Sequence, residues 1–305
     1  MAIKDIVLHQ GPDSRSPARL NIAVALAKAH DARVIGVFVK VDPGDPEYWW
    51  MAFAKEAMAG WLSSLEKIGR EAEEAFKTRL AEEGLEGEWR VMDGNVTDAM
   101  MTCARYGDLT VIGQANPDEP AYDSRMPDQL VLGAGGPVLV VPYAGHFETI
   151  GRRVMIAWNG GREAARAVRD AMPVLKQAET VMVYSINPAD GRHWSGADIC
   201  AHLARHGVRA EASHTVLGPE TEAVSSALKT VGGFGFQQRG PWTQSQHPPI
   251  AEADAGNALL SAVMDCAVDL LVMGAYGHSR VRELVLGGTT REILRTMTVP
   301  VLMSN

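Results

Sequence analysis

The chain has 305 residues, enough for two domains of ordinary size, and at 46% hydrophobic and 22% charged it can bury a sizeable core. Its formal net charge of -8 argues against a general nucleic-acid or anionic-membrane binder, because phosphate backbones need a basic footprint; a small local anion site stays open. A strand-like run begins at once, without a basic leader, Asp265 and Asp269 break the best apolar run, and three widely spaced cysteines, Cys103, Cys200 and Cys266, fit buried reduced thiols, so a cytoplasmic protein is expected.

In chain order, a first strand runs from Ile6 to His9 and ends at Gln10-Gly11, before an Ala/Arg-rich helix over 17–30. A second strand follows at Arg33–Val39. Between Asp45 and Glu83, Trp49, Phe53, Ala57 and Trp61 fall at four-residue spacing on one helical face, which reads as core or interface. Later come a strand around Val91, a strand from Asp108 to Gly113, and a closing Gly136-Pro137 run to Val141. The plan then begins again. Met155 leads into Asn159-Gly160, a helix is expected over 162–176, and a strand over Thr180–Tyr184. His202 and His206 share a helical face with no further ligand nearby, so they read as surface residues. The second copy reaches its third strand near Val216, and it is missing part of the middle helix. It gains a stretch within Leu217–Pro249 that has neither strand nor helix period. That stretch reads as a disordered excursion, with Phe234, Phe236 and Trp242 as the residues that could instead cover a cleft. The copy ends with Asp269–Gly274, a helix from Arg291, and Val299-Pro300 into a last strand.

Short continuous apolar strands alternating with helices predict an α/β fold: two tandem doubly wound parallel-sheet, Rossmann-like domains, at 1–145 and 151–305, joined near Pro142–Gly151. Pro137 and Pro300 are expected to begin edge strands, where a missing donor is harmless. Ligands in such folds sit beyond the carboxyl ends of the strands. There the second copy carries Gly274, Gly277 and His278, then Gly287-Gly288-Thr289 at a turn that opens the last helix. Glycines let backbone approach a ligand closely, and a helix N-terminus offers unpaired N–H groups to an anion. His278, Arg280 and Arg282 add positive charge. The first copy differs. Gly113 is followed by Asn116, Pro117, Asp118, Glu119 and Pro120, then Asp123 and Asp128, so prolines remove donors and carboxylates repel phosphate. Only the second copy reads as competent.

These residues carry a resemblance. The chain resembles a tandem universal stress protein, a family of adenine-nucleotide α-hydrolase-like fold, over nearly its whole length. Nucleotide-binding members have Gly-x2-Gly-x9-Gly-Ser/Thr, which Gly274, Gly277 and Gly287 match, with Gly288 at the hydroxyl position and Thr289 one place later. The family's first-strand aspartate, which meets adenine, corresponds to Asn159 here and to Gln10 in the first copy; asparagine keeps a donor and an acceptor. The resemblance implies ATP or another adenine nucleotide as ligand, with Mg2+ as its companion ion. It places the contact between the halves at the two Pro-Val-Leu segments, a pseudo-dimer within one chain with further self-association and an unknown protein partner left open.

No Gly-x-Ser-x-Gly elbow, His-Glu-x-x-His helix or Walker loop is present, and no nucleophile stands with a base. Asn159-Gly160-Gly161-Arg162-Glu163 is only faintly similar to a pyrophosphate loop, lacking its serines and aspartate. Slow ATP hydrolysis, as in some relatives, stays open with no residue assigned to it. The other reading makes the glycines packing devices and the chain a nucleotide-free interaction scaffold. Deleting 239–248 is expected to leave the melting temperature unchanged; a collapse in a thermal melt shows that the segment packs.

Overall fold

A computed structural model describes residues 2–40, 55–118, 125–147, 149–186, 196–216, 250–276 and 288–305, with the side chains of 55–59 and 250–254 outside the description. The element order is β1 (Asp5–His9), α1 (Ser16–His30), β2 (Arg33–Lys40), α2 (Lys55–Glu83), β3 (Gly87–Asp93), α3 (Val96–Ala104), β4 (Leu109–Gly113), α4 (Met126–Gly133) and β5 (Val138–Val141). It continues with β6 (Arg153–Ala157), α5 (Arg162–Leu175), β7 (Thr180–Ile186), α6 (Gly196–Arg205), β8 (Ala210–Thr215), α7 (Ile250–Asp265), β9 (Leu270–Gly274), α8 (Gly288–Thr296) and β10 (Val301–Ser304).

The strands form one ten-stranded sheet in the order β3-β2-β1-β4-β5-β10-β9-β6-β7-β8. Each half repeats the same doubly wound order, and all pairs within a half are parallel. The central pair is antiparallel, with Val140 opposite Val301 and Leu139 opposite Leu302. Here the sequence reading needs correction. The strands that follow Pro137 and Pro300 are internal, not edges, and the prolines are tolerated because they stand just before the strands. Their carbonyls still accept, from Thr110 N at 3.1 Å and Leu271 N at 3.0 Å.

Inner strands such as β1 and β9 are continuous apolar runs because helices cover both faces, whereas the outermost β3 and β8 are more polar and exposed. One face packs against α1, α2, α5 and α6, through residues such as Leu20, Phe76, Ala167 and Leu203. The other packs against α3, α4, α7 and α8, through Met100, Leu130, Val263 and Ile293. Both apolar layers run unbroken from one half into the other. The α5 stripe of Ala164, Ala167, Val168 and Ala171 recurs at three- and four-residue spacing, and its small side chains bring the helix close to the sheet. Of the Trp/Phe/Ala face expected before Glu83, Trp61 is partly buried against the second layer; Trp49, Phe53 and the Ala57 side chain lie outside the described residues. So does all of 217–249.

The aspartates repeated at Asp108 and Asp269 have matching tasks. The Asp108 carboxylate accepts from Lys4 N and Asp5 N at 2.8 and 3.0 Å, fixing the entry to β1. The Asp269 carboxylate accepts from the N–H groups of Gly151, Arg152 and Arg153 and from the Thr149 hydroxyl, fixing the entry to β6. Those N–H groups lie at or just before the first residues of the two strands, and side-chain oxygens complete them.

Leu302 is 2% exposed at the seam, whereas Tyr106 is 74% exposed. Leu302→Ala is expected to cost about 3 kcal/mol in urea unfolding through the cavity it leaves, and Tyr106→Ala less than about 1 kcal/mol. Equal effects would contradict a core continuous through the seam.

Candidate functional site

At the second half's carboxyl end, Ala157 of β6 pairs with Met273 of β9, so the chain leaves both strands side by side. Gly160 has φ +71°, which turns the chain into α5. The Asn159 Oδ1 accepts the Gly161 N–H at 2.9 Å, and Gly161 caps α5 with no side chain of its own. Gly274 faces that first turn. A Cβ there would fall 2.4 Å from Ala164 N and 2.5 Å from Glu163 C, so only glycine allows β9 and α5 to touch. Gly274 therefore has a packing reason independent of any ligand. Glu163 is buried, and its carboxylate pairs with Arg162 Nε at 2.6 Å.

Beyond Gly274, Ala275 N donates to Ser304 O at 2.8 Å, and Tyr276 adopts φ +63°. A tyrosine in the left-handed region is uncommon and is held there by its surroundings. Its N–H donates to Thr290 Oγ1 at 3.4 Å in the first turn of α8, and its hydroxyl donates to Asp128 Oδ1 at 3.0 Å on α4 of the other half. Burial, followed by the charge and hydrogen bond of Asp128, pushes the phenol well above its usual range. α8 includes Gly288 and Thr289, ahead of Arg291, and these two residues lie toward the positive end of its dipole. The β6 exit with Asn159, the β9 exit with Gly274, and the α8 start with Gly288 and Thr289 are linked through the Gly274–α5 and Tyr276–Thr290 contacts. Gly277, His278, Gly287 and the two arginines Arg280 and Arg282 lie outside the described residues.

The matching end of the first half is filled by its own side chains. Gln10, at the position of Asn159, is buried and bonded to Ser16: the Ser16 hydroxyl donates to Oε1 at 2.6 Å. Arg19 is 2% exposed and lies over Gly113, whose Cβ would meet Nη1 at 2.7 Å. Its guanidinium donates to both Asp13 oxygens, at 2.7 and 2.6 Å, and to His9 O at 3.1 Å. Burial alone would raise the Asp13 carboxyl; the Arg19 hydrogen bonds and charge outweigh it and hold the group below its usual range. Burial, with the Arg19 charge, pulls the His9 imidazole down to about 3, and its Nε2 has no partner among the described residues. In the stretch after Gly113, the described residues Asn116, Asp118 and Asp128 have partners of their own. Asn116 Oδ1 takes Asp118 N at 3.1 Å, and Asp128 faces Tyr276. Glu119 and Asp123 lie outside the described residues.

Sequence reasoning missed Arg19, Glu163 and Tyr276. Glu163 and Tyr276 stand inside motifs it had quoted, and an arginine in an otherwise apolar α1 stripe was the available signal for Arg19. Among the described residues no three histidines, cysteines or carboxylates gather as metal ligands. His202 and His206 bring their rings to 4.7 Å.

Comparison with known proteins follows the fold. A sequence profile of the universal stress protein family matches residues 151–305. Universal stress protein Slr1230 of Synechocystis sp. is 52% identical over 48 residues, a match covering 16% of this chain and 17% of that protein. The crystal structure of a universal stress protein from Archaeoglobus fulgidus superposes with a TM-score of 0.61 at 14% identity, covering 98% of each chain. A functionally unknown protein from Pseudomonas aeruginosa superposes with a TM-score of 0.54 at 15% identity, over 99% of this chain and 92% of its own. The chain belongs to the universal stress protein family.

The His9 environment sets a pH dependence. Its folded value near 3 lies below the ordinary 6.5, so between these the unfolded chain holds a proton that the folded chain does not. Stability therefore falls as pH drops through that window. The Asp13 contribution is lost only below its unfolded 3.8. Urea unfolding at pH 7 and pH 4.5 is expected to show a smaller acid loss for His9→Leu than for the wild type; equal losses would contradict the buried neutral imidazole.

Proposed function

We propose that this universal stress protein binds ATP or another adenine nucleotide in its second half, residues 151–305, and acts in stress response in the cytoplasm. One observation carries the reading: the two fourth-strand glycines meet different neighbours. Gly113 lies under the guanidinium of the buried Arg19, which is paired with Asp13, while Gly274 lies against the backbone of Glu163 and Ala164 and the Glu163 Cβ in the first turn of α5. The atoms nearest to a Gly274 Cβ include no guanidinium, and this difference supports the second end as the ligand end.

In this reading Asn159 meets the base, offering a donor and an acceptor where Gln10 is already spent on Ser16. The buried Glu163 carboxylate disfavours phosphate at the start of α5, so the phosphates lie toward the α8 first turn. There Gly288 and Thr289, with Gly287 before them, hold phosphate oxygens, and Gly274, Gly277 and His278 line the approach. Mg2+ comes bound to the phosphates. The supports are the Gly-x2-Gly-x9-Gly spacing, the α8 dipole and the family. The pseudo-dimer reading rests on the antiparallel β5–β10 pair.

A specific observation favours a second reading. Gly274 is required by α5 packing alone, and Asn159 is bonded within its own loop. Both suit a nucleotide-free scaffold that works through protein contacts.

Titration calorimetry with ATP and magnesium separates the two. We expect one site per chain; a protein with no heat of binding is the scaffold. Asn159→Leu and Gly277→Asp are expected to lower affinity at least about tenfold through lost base contacts and added negative charge, while Gln10→Leu leaves it within about twofold. Equal losses from Asn159→Leu and Gln10→Leu would rule out a single competent half.

A further inference from the structure

The two halves are bonded across the seam at the exits of their fourth strands. Gln114 follows β4 directly; its Nε2 donates to Leu294 O in α8 at 3.0 Å, and its Oε1 accepts Tyr143 N at 3.1 Å. From the other side, Tyr276 follows β9 and donates its hydroxyl to Asp128 on α4. Tyr276 is also the residue held at φ +63°, and its N–H meets Thr290. One side chain thus ties three things: the β9 exit, the first turn of α8, and a helix of the half whose own ligand end is filled.

Isolated exposed hydrogen bonds contribute little, but this one is partly buried and charge-assisted, the stronger kind. Around it α4 packs on α8 and β10, with Leu130, Val131, Ile293, Leu294 and Met303 in one apolar layer against which Tyr276 is partly buried. The brace is seated in a packed layer rather than on a mobile surface. Holding a non-glycine residue in the left-handed region costs on the order of 1 kcal/mol or more, so the conformation persists only where neighbours enforce it. Asp128 and Thr290 are the neighbours that do so.

We infer that Asp128 of the first half, through Tyr276, is a positioning residue for the nucleotide site of the second half: the half without a competent site of its own holds the other's β9 exit and α8 start in binding geometry. The ligand part of this inference rests on the nucleotide reading above. The brace itself does not. In the absence of the Asp128 acceptor, Tyr276 relaxes from its left-handed conformation, Thr290 loses its backbone donor, and the α8 N–H groups lose their fixed aim. An occupied site, in turn, favours the braced arrangement, so nucleotide occupancy tightens the seam between the halves by the same factor that the brace tightens nucleotide binding.

The test uses the full chain with Asp128→Ala, Tyr276→Phe, the double variant, and Asp128→Asn, whose side-chain oxygen can still accept the tyrosine hydroxyl. Amide hydrogen exchange without nucleotide is the first readout. Asp128→Ala and Tyr276→Phe are expected to speed exchange at least about tenfold at Ala275, Tyr276 and the first turn of α8, with the β1 and β2 amides unchanged and Asp128→Asn near wild type. Calorimetric ATP affinity is the second readout. The two single variants are expected to bind about tenfold more weakly, the double variant no worse than either, and Asp128→Asn within about twofold. Unchanged exchange overturns the brace. Faster exchange with undiminished ATP affinity overturns the positioning role. A wild-type chain that binds no ATP defeats the nucleotide reading, and with it the ligand part, while the exchange data still decide whether the brace exists. General destabilisation would speed exchange in β1 and β2 as well and would not be rescued selectively by asparagine, which also overturns the inference.

Discussion

The antiparallel pairing of β5 with β10 governs this molecule. Two parallel five-stranded sheets would each leave a fifth strand with an open row of N–H and C=O groups, a template for unwanted pairing. Joining them edge to edge removes both rows and fuses two apolar layers into continuous ones. It also sets direction. Because the central pair is antiparallel, the carboxyl ends of the two sets of strands point to opposite ends of the sheet. The carboxyl ends of each half's strands therefore stand beside the amino ends of the other half's strands.

Within that frame the two ends diverge by side-chain chemistry rather than by fold. In the first half a guanidinium takes the place above the glycine and must then be paired, since an isolated buried charge is untenable; Asp13 supplies the pair and His9 stays neutral beside it. In the second half, Val168 stands at the position of Arg19, so α5 settles directly on Gly274. The glycine at the end of β4 thus meets a guanidinium, and the one at the end of β9 meets the start of α5. The positive φ of Tyr276 lies at the carboxyl end of β9, which agrees with strain concentrating where a chain must be aimed.

Much of this was legible in the residues because the cues were local. Apolar runs such as Leu270–Gly274 and the alanine stripe of α5 specify strand and helix by period alone, and their repetition along the chain announced two matching halves. The seam was legible only through the family resemblance, because a proline before a strand says nothing by itself about what lies on that strand's far side. The tasks of Asp108 and Asp269 were hidden for a similar reason: their partners lie more than a hundred residues earlier in the chain. The prolines and acids after Gly113 read as removing donors and repelling phosphate, which says nothing of what covers Gly113 itself. Arg19 lies over that glycine, and its place in the largely apolar α1 stripe was the signal available for it. Tyr276 occupied an unspecified position of the glycine motif, and its significance comes from Asp128, which sequence had assigned to a different role.

The claim at the centre of this account is one nucleotide site, in the second half, at the end bounded by Asn159, Gly274 and the first turn of α8. Crystals grown with ATP and magnesium in excess test it most directly. Density for a base beside Asn159, with phosphates toward Gly288 and Thr289 and nothing over Gly113, is the predicted result. Density over Gly113, or an empty second half in crystals soaked to saturation, would contradict it.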